Sequence, residues 1–229
     1  CGPRYSIIKT IPCDRKNTSI KDFTLCKKCQ DEFENPTNRR YHAQAISCEE
    51  CGPTTFLYDS KQTLIASKIE AINLASKYIN DGKILAIKSM GGFHIVCDAS
   101  NDETIFRLRE LKKRATKPFA VMFKDVDSLR NYAIYSSLEQ EILTSQQRPI
   151  VLLQKKENQN LSNLVAPNIK KIGCFLPNSA LHYLLFENLS NPIIATSANL
   201  KGEPIITTKE DIFLKLGNLV DFVLDYNRE

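Results

Sequence analysis

Four cysteines near the start of the chain have the spacing of a metal site. Cys26 and Cys29 form one Cys-x-x-Cys pair, and Cys48 and Cys51 form a second pair after 18 intervening residues. Two residues between cysteines let both thiolates of a pair face one tetrahedral zinc ion at about 2.3 Å. Because four thiolates leave no open position, we predict a structural zinc site. The alternatives are two disulfides, four inert thiols, or His42 in place of one cysteine.

The tripeptide Cys-Gly-Pro occurs twice, once at Cys51 and once at Cys1. At Cys51 it ends a Cys-x-x-Cys pair, so by analogy Cys1 would end a pair whose first cysteine precedes this chain. We therefore expect a part of a longer protein, with a zinc-finger-like domain over residues 1–59. That domain would contain the end of a first finger and the whole of a second.

Three polar clusters lie at predicted strand ends in the rest of the chain. Their members are Lys88, Gly91, Gly92 and His94; Lys112, Lys113, Arg114 and Lys117; and Ser197 and Asn199. Taken singly, each has a plainer interpretation: helix-terminal cations, a turn, and a half-buried histidine. Together they offer cations for a polyphosphate, close backbone approach and polar ligand contacts at strand ends, where α/β sheets commonly bind ligands.

The elements that carry these clusters alternate between helices and strands from about residue 65. Helical spacing relates Ile69, Ile72, Ser76 and Ile79, and Asn101 can cap a second helix. Capping boxes are predicted at residues 137–140 and 207–210. Short apolar runs predict strands at 83–88, 119–123, 149–154, 192–199 and 222–226. This order indicates an α/β domain with a mixed sheet over residues 65–229.

Composition narrows the classes of function. No run approaches about 20 apolar residues, so no membrane span is expected. The net charge is +5, and residues 1–59 contain nine basic and eight acidic residues, which argues against a dedicated nucleic-acid-binding arm. Arg39 and Arg40 could contact phosphate, but nearby Glu32 and Glu34 favour a solvated basic pair. Neither common glycine-rich nucleotide motif occurs. Without a secretory leader, we expect a cytoplasmic protein.

Several stretches resemble the HypF family, the carbamoyltransferases that help mature nickel–iron hydrogenases. They are "CGPRYSIIKTIPCDR", "CKKCQDEFENPTNRRYHAQ", "IKSMGGFHIVCDA", "LKKRATKPFAVM", "LPNSALHYLLF" and "TSANLKGEPI". Residues 65–229 also resemble the wider YrdC family, whose Lys-x-Arg and Ser-x-Asn signature falls on Lys112, Arg114, Ser197 and Asn199. The resemblance implies a twisted, mixed sheet with helices, lacking its C-terminal segment here.

The resemblance also implies a reaction. A HypF protein releases carbamate from carbamoyl phosphate, joins it to ATP as carbamoyl-adenylate, and passes the carbamoyl group to the C-terminal cysteine of HypE. The YrdC-like domain performs the ATP-dependent step, with Mg²⁺ accompanying ATP. Lys88, Lys112 and Arg114 would then be catalytic. Nucleotide and carbamate contacts would come from Gly91, Gly92, Lys117, Arg148, Ser197 and Asn199. Carbamate is already ionised, so no general base is required.

Two other functions are consistent with the same residues. One is a threonylcarbamoyl-adenylate synthase of tRNA modification, although Lys88-Ser89-Met90 replaces the Pro-Thr-Glu strand end of those enzymes, which argues against threonine. Pyrophosphate release supported by threonine would favour that enzyme. The other is a zinc-stapled module that binds double-stranded RNA through a basic face, which a steep salt dependence of RNA binding would indicate.

Overall fold

The computed structural model describes residues 7–157, 159–200 and 202–228. The chain divides into two compact units, one of Cys1–Thr55 with Tyr226–Glu229 and one of Phe56–Asp225. The expectation that Cys1 is a ligand of an incomplete finger falls outside the described residues. Within these ranges, no helix combines the length and the apolar character needed to cross a bilayer.

The smaller unit consists mostly of turns. Its described residues include a 3₁₀ turn at Arg15–Asn17 and a helix, α1, at Lys27–Glu34. In the described part of this unit, the buried apolar side chains are Ile20, Cys29 and Ile46. So few buried side chains cannot offset the conformational entropy of ordering some fifty residues, so a further cross-link such as a metal is needed.

The larger unit is built on a mixed sheet of ten strands. The strands are β1 Thr55–Asp59, β2 Leu64–Ser67, β3 Leu85–Ser89, β4 Gly92–Asp98, β5 Ala120–Met122, β6 Ala133–Ile134, β7 Val151–Lys155, β8 Lys171–Phe175, β9 Ile193–Ser197 and β10 Phe222–Tyr226. Their order is β2-β1-β10-β3-β4-β9-β5-β8-β7-β6. The pairs β10–β3 and β5–β8 are parallel, while β3–β4, β4–β9 and β5–β9 are antiparallel. This confirms the predicted mixed α/β class.

Six helices of the described ranges accompany the sheet. They are α2 Lys68–Asn80, α3 Asp102–Leu111, α4 Val126–Leu129, α5 Ser137–Thr144, α6 Ala180–Phe186 and α7 Lys209–Leu216. Strand β3 shows how they are distributed, because alternate residues of a strand point to opposite faces. Ala86 packs in one hydrophobic cluster, and Leu85 and Ile87 pack in another. We call these the Ala86 face and the Ile87 face.

Each face has its own helices. Helices α3, α4, α5 and α7 bury apolar side chains in the cluster of the Ala86 face, including Leu108 and Leu216. Helices α2 and α6 bury theirs in the cluster of the Ile87 face, including Ile72 and Leu185. The apolar spacing of α2 therefore has its expected role at Ile72 and Ile79, whereas Ile69 lies at the surface.

Both predicted caps are displaced by one residue, and the cap of α5 is a capping box, whereas that of α7 is a side-chain cap. The N-cap of α5 is Ser136, whose Oγ accepts from the Glu139 amide while the Glu139 carboxylate accepts from the Ser136 amide at 2.7 Å. The N-cap of α7 is Thr208, whose side chain accepts from the Asp211 amide. The reason is geometric: the cap precedes the first helical residue, and its side chain reaches the third. The predicted caps at 137 and 207 were wrong.

Candidate functional site

The four finger cysteines converge on one point. Their Sγ atoms all lie within 4.8 Å of one another. The Sγ atoms of Cys26 and Cys48 are 3.6 Å apart, and those of Cys48 and Cys51 are 3.8 Å apart. A tetrahedron with bonds of about 2.3 Å has edges of about 3.8 Å, so the donors fit a zinc ion. These separations are far above the roughly 2.05 Å of a disulfide bond, which removes that alternative.

His42 does not join this cluster. Its ring stacks on Phe33 with centroids 5.2 Å apart, and its backbone amide donates to the Phe33 carbonyl at 2.9 Å. Among the described residues, the set of close metal-ligating side chains contains cysteines alone. The neighbouring Arg40 pairs with Glu32 at 2.6 Å, as expected of a solvated basic pair.

Arg15 connects the segments of the finger, and the sequence did not reveal this role. Its guanidinium donates to the carbonyls of Ile46 and Phe23, each at 2.6 Å, and its amide donates to Gln44 at 2.9 Å. Burial lowers the pKa of Arg15, while the nearby Cys51 opposes that shift. The guanidinium is therefore placed to stabilise the negative charge of a zinc–tetrathiolate centre.

The second and third polar clusters meet at the end of β9. The Lys112 ammonium donates to the carbonyl oxygens of Ser197 at 3.0 Å and Asn199 at 2.7 Å, and to Asn199 Oδ1 at 3.0 Å. Ser197 Oγ donates to the same Asn199 Oδ1 at 2.8 Å. Burial and the charge of Arg114 lower the pKa of Lys112. Three of the predicted residues thus form one hydrogen-bonded group.

Arg114 completes this group from the loop after α3. Its guanidinium stacks on the Phe119 ring at 4.5 Å, contacts Thr196 Oγ1 at 3.4 Å, and donates to the Pro118 carbonyl. Burial and the nearby charge of Arg109 lower the pKa of Arg114. Two cations with lowered pKa values, held a few ångströms from strand β9, favour the arrival of an anion.

The loop that carries Arg114 is held by Arg109. This side chain is only 5% exposed, and it donates to the carbonyls of Arg114 at 2.6 Å and Leu164 at 2.8 Å. It also donates to Ala115 and Lys117 carbonyls and stacks over Phe119. Arg109 was not among the residues singled out from the sequence, so this supporting role was missed.

A cavity of about 270 Å³ opens beside Lys112. Its lining is largely apolar and includes Ile95, Leu111, Leu200 and Leu216, together with the polar Asn199. An apolar pocket next to half-buried cations suits a ligand with a flat apolar part and an anionic part.

The first polar cluster, which contains Lys88, Gly91 and Gly92, contacts residues other than Lys112. Lys88 forms an ion pair with Asp225 at 3.2 Å. In register it pairs with Phe93, so its side chain projects from the Ala86 face. Gly92 has φ of +134°, and a Cβ there would approach a carbonyl oxygen at 2.8 Å, whereas a Cβ on Gly91 would meet nothing within 4 Å. Glycine at position 92 is thus required by its backbone conformation and close packing. Position 91, in contrast, has room for a side chain.

Two further predicted residues, Lys117 and Arg148, were expected to contribute their side-chain cations. The contact of Lys117 with the Lys112 group is made by its main chain, whose carbonyl accepts from Arg114 Nε at 3.0 Å. Arg148 contacts Tyr183 Oη at 3.4 Å on α6. Their assignment to nucleotide contacts stays a prediction.

Comparison with known proteins gives the class of the chain. Residues 77–229, two thirds of the 229-residue chain, match the Sua5/YciO/YrdC family, described as telomere recombination. The chain belongs to this family. Residues 25–58 match a second family, the HypF finger, which contains the four clustered cysteines.

Relatives narrow the class further, because the whole chain is homologous to HypF carbamoyltransferases. The carbamoyltransferase HypF of Rhodobacter capsulatus is 37% identical over 228 residues, covering 100% of this chain and 30% of that protein. The crystal structure of full-length HypF in its phosphate- and nucleotide-bound form matches with a TM-score of 0.92 and 42% identity, covering 100% of this chain and 30% of that one. A threonylcarbamoyl-AMP synthase of Vibrio campbellii is 27% identical over 153 residues, or 65% of this chain and 82% of that protein. The chain therefore spans about a third of the length of its HypF relatives.

Proposed function

We propose that this chain is the part of a HypF-type carbamoyltransferase that forms carbamoyl-adenylate from carbamate and ATP. The observation that carries the proposal is the group made by Lys112, Ser197 and Asn199 beside Arg114. Support comes from homology to HypF over the whole chain and from a solved HypF that binds nucleotide. The relatives of this chain also include a threonylcarbamoyl-AMP synthase, whose product is a related carbamoyl–AMP anhydride.

The chemistry needs charge neutralisation more than proton transfer. A carboxylate oxygen of carbamate attacks the α-phosphorus of ATP, forming an O–P bond as the bond to the β-phosphate oxygen breaks. Pyrophosphate leaves with the bonding electrons, and no proton moves. Two anions meet in this step, so fixed cations lower the barrier by stabilising charge on the phosphate oxygens. In this proposal Lys112 and Arg114 supply those cations.

The other predicted site residues are assigned supporting contacts to the nucleotide or to carbamate. Asn199 and Ser197 hold the Lys112 ammonium and contact the nucleotide, with Lys117 and Arg148 as outer cations. Lys88, Gly91 and Gly92 contribute to carbamate binding near the turn between β3 and β4. Mg²⁺ enters with ATP, and zinc at the four cysteines stabilises the finger. In the cytoplasm, the carbamoyl group would then pass to the C-terminal cysteine of HypE.

The test is pyrophosphate formation from ATP and Mg²⁺ with ammonium bicarbonate as the carbamate source. We expect carbamate-dependent pyrophosphate from the wild-type chain and from Lys27→Ala, and its loss in Lys112→Met. Threonine is tested in parallel, because the synthase relative acts on a threonylcarbamoyl group. Pyrophosphate that requires threonine would assign the chain to that reaction instead. Failure to bind ATP at all would contradict the proposal.

A further inference from the structure

A second cavity, of about 620 Å³, lies at the same end of the sheet as the Lys112 group. The strand register places the end of β9 beside the start of β5, and the start of β8 beside the end of β7. Ser197 ends β9 and the Arg114 loop leads into β5, while the cavity lies beside β7 and β8. Its lining residues Leu164 and Ala166 pack in the cluster of the Ala86 face, as does helix α3.

The lining of this cavity, which we call the lysine cavity, is rich in cations. Lys155, Lys156 and Lys170 contribute three ammonium groups, against the one carboxylate of Glu157. Among the residues that the structure describes, none of these three lysines forms an ion pair. The Lys155 ammonium donates instead to the neutral carbonyl of Ala166 at 3.2 Å. The lysine cavity therefore has an excess of positive charge.

Two of these lysines lie opposite each other on neighbouring segments. The Lys155 amide donates to the Lys170 carbonyl at 2.9 Å, which continues the β7–β8 register by one residue. Residues directly opposite each other in a sheet have Cβ atoms about 4.5–5.5 Å apart, and like charges in that relation are destabilising. An anion between the two ammonium groups would remove this repulsion, so the pair favours anion binding.

The lining also indicates which kind of anion fits. Lysine binds phosphate groups as a compact point charge, and the side-chain amides of Asn163 and Asn168 add N–H donors. None of the described residues that line the cavity is aromatic, so a nucleobase would have no ring on which to stack. A small inorganic phosphate compound therefore fits this cavity better than a nucleotide or an RNA strand.

Arg109 connects the lysine cavity to the proposed reaction site. Its guanidinium donates to the carbonyl of Leu164, which lines the cavity, at 2.8 Å and to the carbonyl of Arg114 at 2.6 Å. The Phe119 amide adds a second link, because it donates to the Val165 carbonyl at 2.9 Å. One guanidinium thus joins the wall of the lysine cavity to the loop that carries Arg114, and the two sets of cations are neighbours.

We propose that the lysine cavity binds inorganic pyrophosphate, the leaving group of the adenylation, once it has left Lys112 and Arg114. This inference rests on the proposed function. Pyrophosphate can reverse the reaction by attacking the α-phosphorus of the adenylate, so a separate cationic site draws it away from the reacting atoms. Its two phosphate groups can contact Lys155 and Lys170 at once, whereas phosphate and sulfate ions offer only one group.

Nuclear magnetic resonance of the asparagine side chains tests the proposal. The zinc-loaded chain is labelled with ¹⁵N in asparagine and titrated with sodium pyrophosphate in the absence of ATP. The amides of Asn163 and Asn168 report on the lysine cavity, and that of Asn199 reports on the Lys112 group. We expect pyrophosphate to shift the signals of all three in the wild-type chain, and Lys112→Met to keep the shifts of Asn163 and Asn168.

A double variant provides the decisive comparison. Lys155→Gln/Lys170→Gln should weaken pyrophosphate binding at Asn163 and Asn168 by at least about tenfold, because contacts to charged groups are lost, and should leave the Asn199 response unchanged. Lys27→Gln, at an exposed lysine of the finger, is the matched control. Cavity shifts that persist in the double variant, or no cavity shift in the wild type, would overturn the proposal.

The type of anion is tested by sodium phosphate and sodium sulfate at equal ionic strength. We expect both to bind the lysine cavity more weakly than pyrophosphate. Equal responses to all three salts would mean an adventitious ion only, and would overturn the assignment. Should the double variant fail to fold, Lys170→Gln alone is used, because Lys170 is exposed.

A single turnover links the lysine cavity to the reaction. With the chain in excess over ATP, the double variant should convert a smaller fraction of bound ATP to adenylate at equilibrium than the wild type. An unchanged fraction would refute the role in drawing pyrophosphate away. If ATP does not bind to the wild type, the proposed function fails, whereas the titrations without ATP still decide whether the cavity binds pyrophosphate.

Discussion

Replacing Lys112 by methionine removes one charge and keeps most of the aliphatic stem. In the structure, the ammonium uses all three of its donors, toward Ser197 O, Asn199 O and Asn199 Oδ1 at 3.0, 2.7 and 3.0 Å. A phosphate oxygen must therefore displace one of these bonds or interact through charge alone. A hydrogen bond to a charged group is worth about 1.5–3 kcal/mol, so Lys112→Met should weaken ATP binding roughly tenfold to hundredfold.

The substitution also affects folding, and the two effects must be separated. Without the ammonium, partly buried acceptors at the end of β9 lose their donor, which should lower the free energy of unfolding by about 1–3 kcal/mol. Urea unfolding measures this loss, and calorimetric ATP titration is performed only where the variant is fully folded. Lys27→Ala is the matched control, because Lys27 is an exposed cation in the finger.

These titrations distinguish a nucleotide contact of Lys112 from a purely structural role. Wild type and Lys27→Ala should bind ATP equally, and Lys112→Met should bind more weakly. Equal affinities for all three folded proteins would show that Lys112 lies outside the nucleotide site. A variant that bound ATP normally but was much less stable would mean that the ammonium is only a structural cross-link for β9.

Three further predictions concern metal, pH and backbone. Elemental analysis should find one zinc ion per chain, lost in Cys26→Ser and kept in Cys13→Ser, which alters an exposed cysteine; a folded, metal-free wild type would exclude the site. Since burial depresses the pKa of Lys112, ATP affinity should fall with rising pH before an ordinary lysine would titrate near 10.4, and Lys112→Arg should remove that early fall in calorimetry. Gly92→Ala should cost about 1–3 kcal/mol in urea unfolding while Gly91→Ala changes little, and equal losses would contradict the packing argument.

The metal site was the part of the molecule most accessible from sequence. Its chemistry depends on residue type and short spacing, and the four Sγ atoms converge as the two Cys-x-x-Cys pairs predicted. The sequence also predicted five of the strands, because each is a short run of apolar residues: β3, β5, β7, β9 and β10. The meeting of Lys112 with Ser197 and Asn199 was predicted only as a grouping at strand ends, and the structure supplies the contacts.

Other elements could not be read from local patterns. Strands β1 and β2 were missed because Leu64 and Ile65 are exposed and the burial pattern is weak. Strand β4 was seen only as a polar cluster, although most of its residues are buried. The role of Arg109 depends on carbonyls up to 56 positions away in the chain, which no spacing rule contains.

The support that Arg109 gives to residues 114–117 has a kinetic consequence. Because that loop is fixed during folding, little ordering of the backbone is left for the moment of association. Binding should then proceed in one observable phase, with a rate that rises linearly with ligand concentration. Attraction between an anionic ligand and fixed cations should make the association rate constant fall with added salt, while dissociation changes less. A substitution that removes the Arg109 hydrogen bonds should introduce a slower phase whose rate does not depend on ligand concentration. That phase would report the ordering of the loop into its bound conformation.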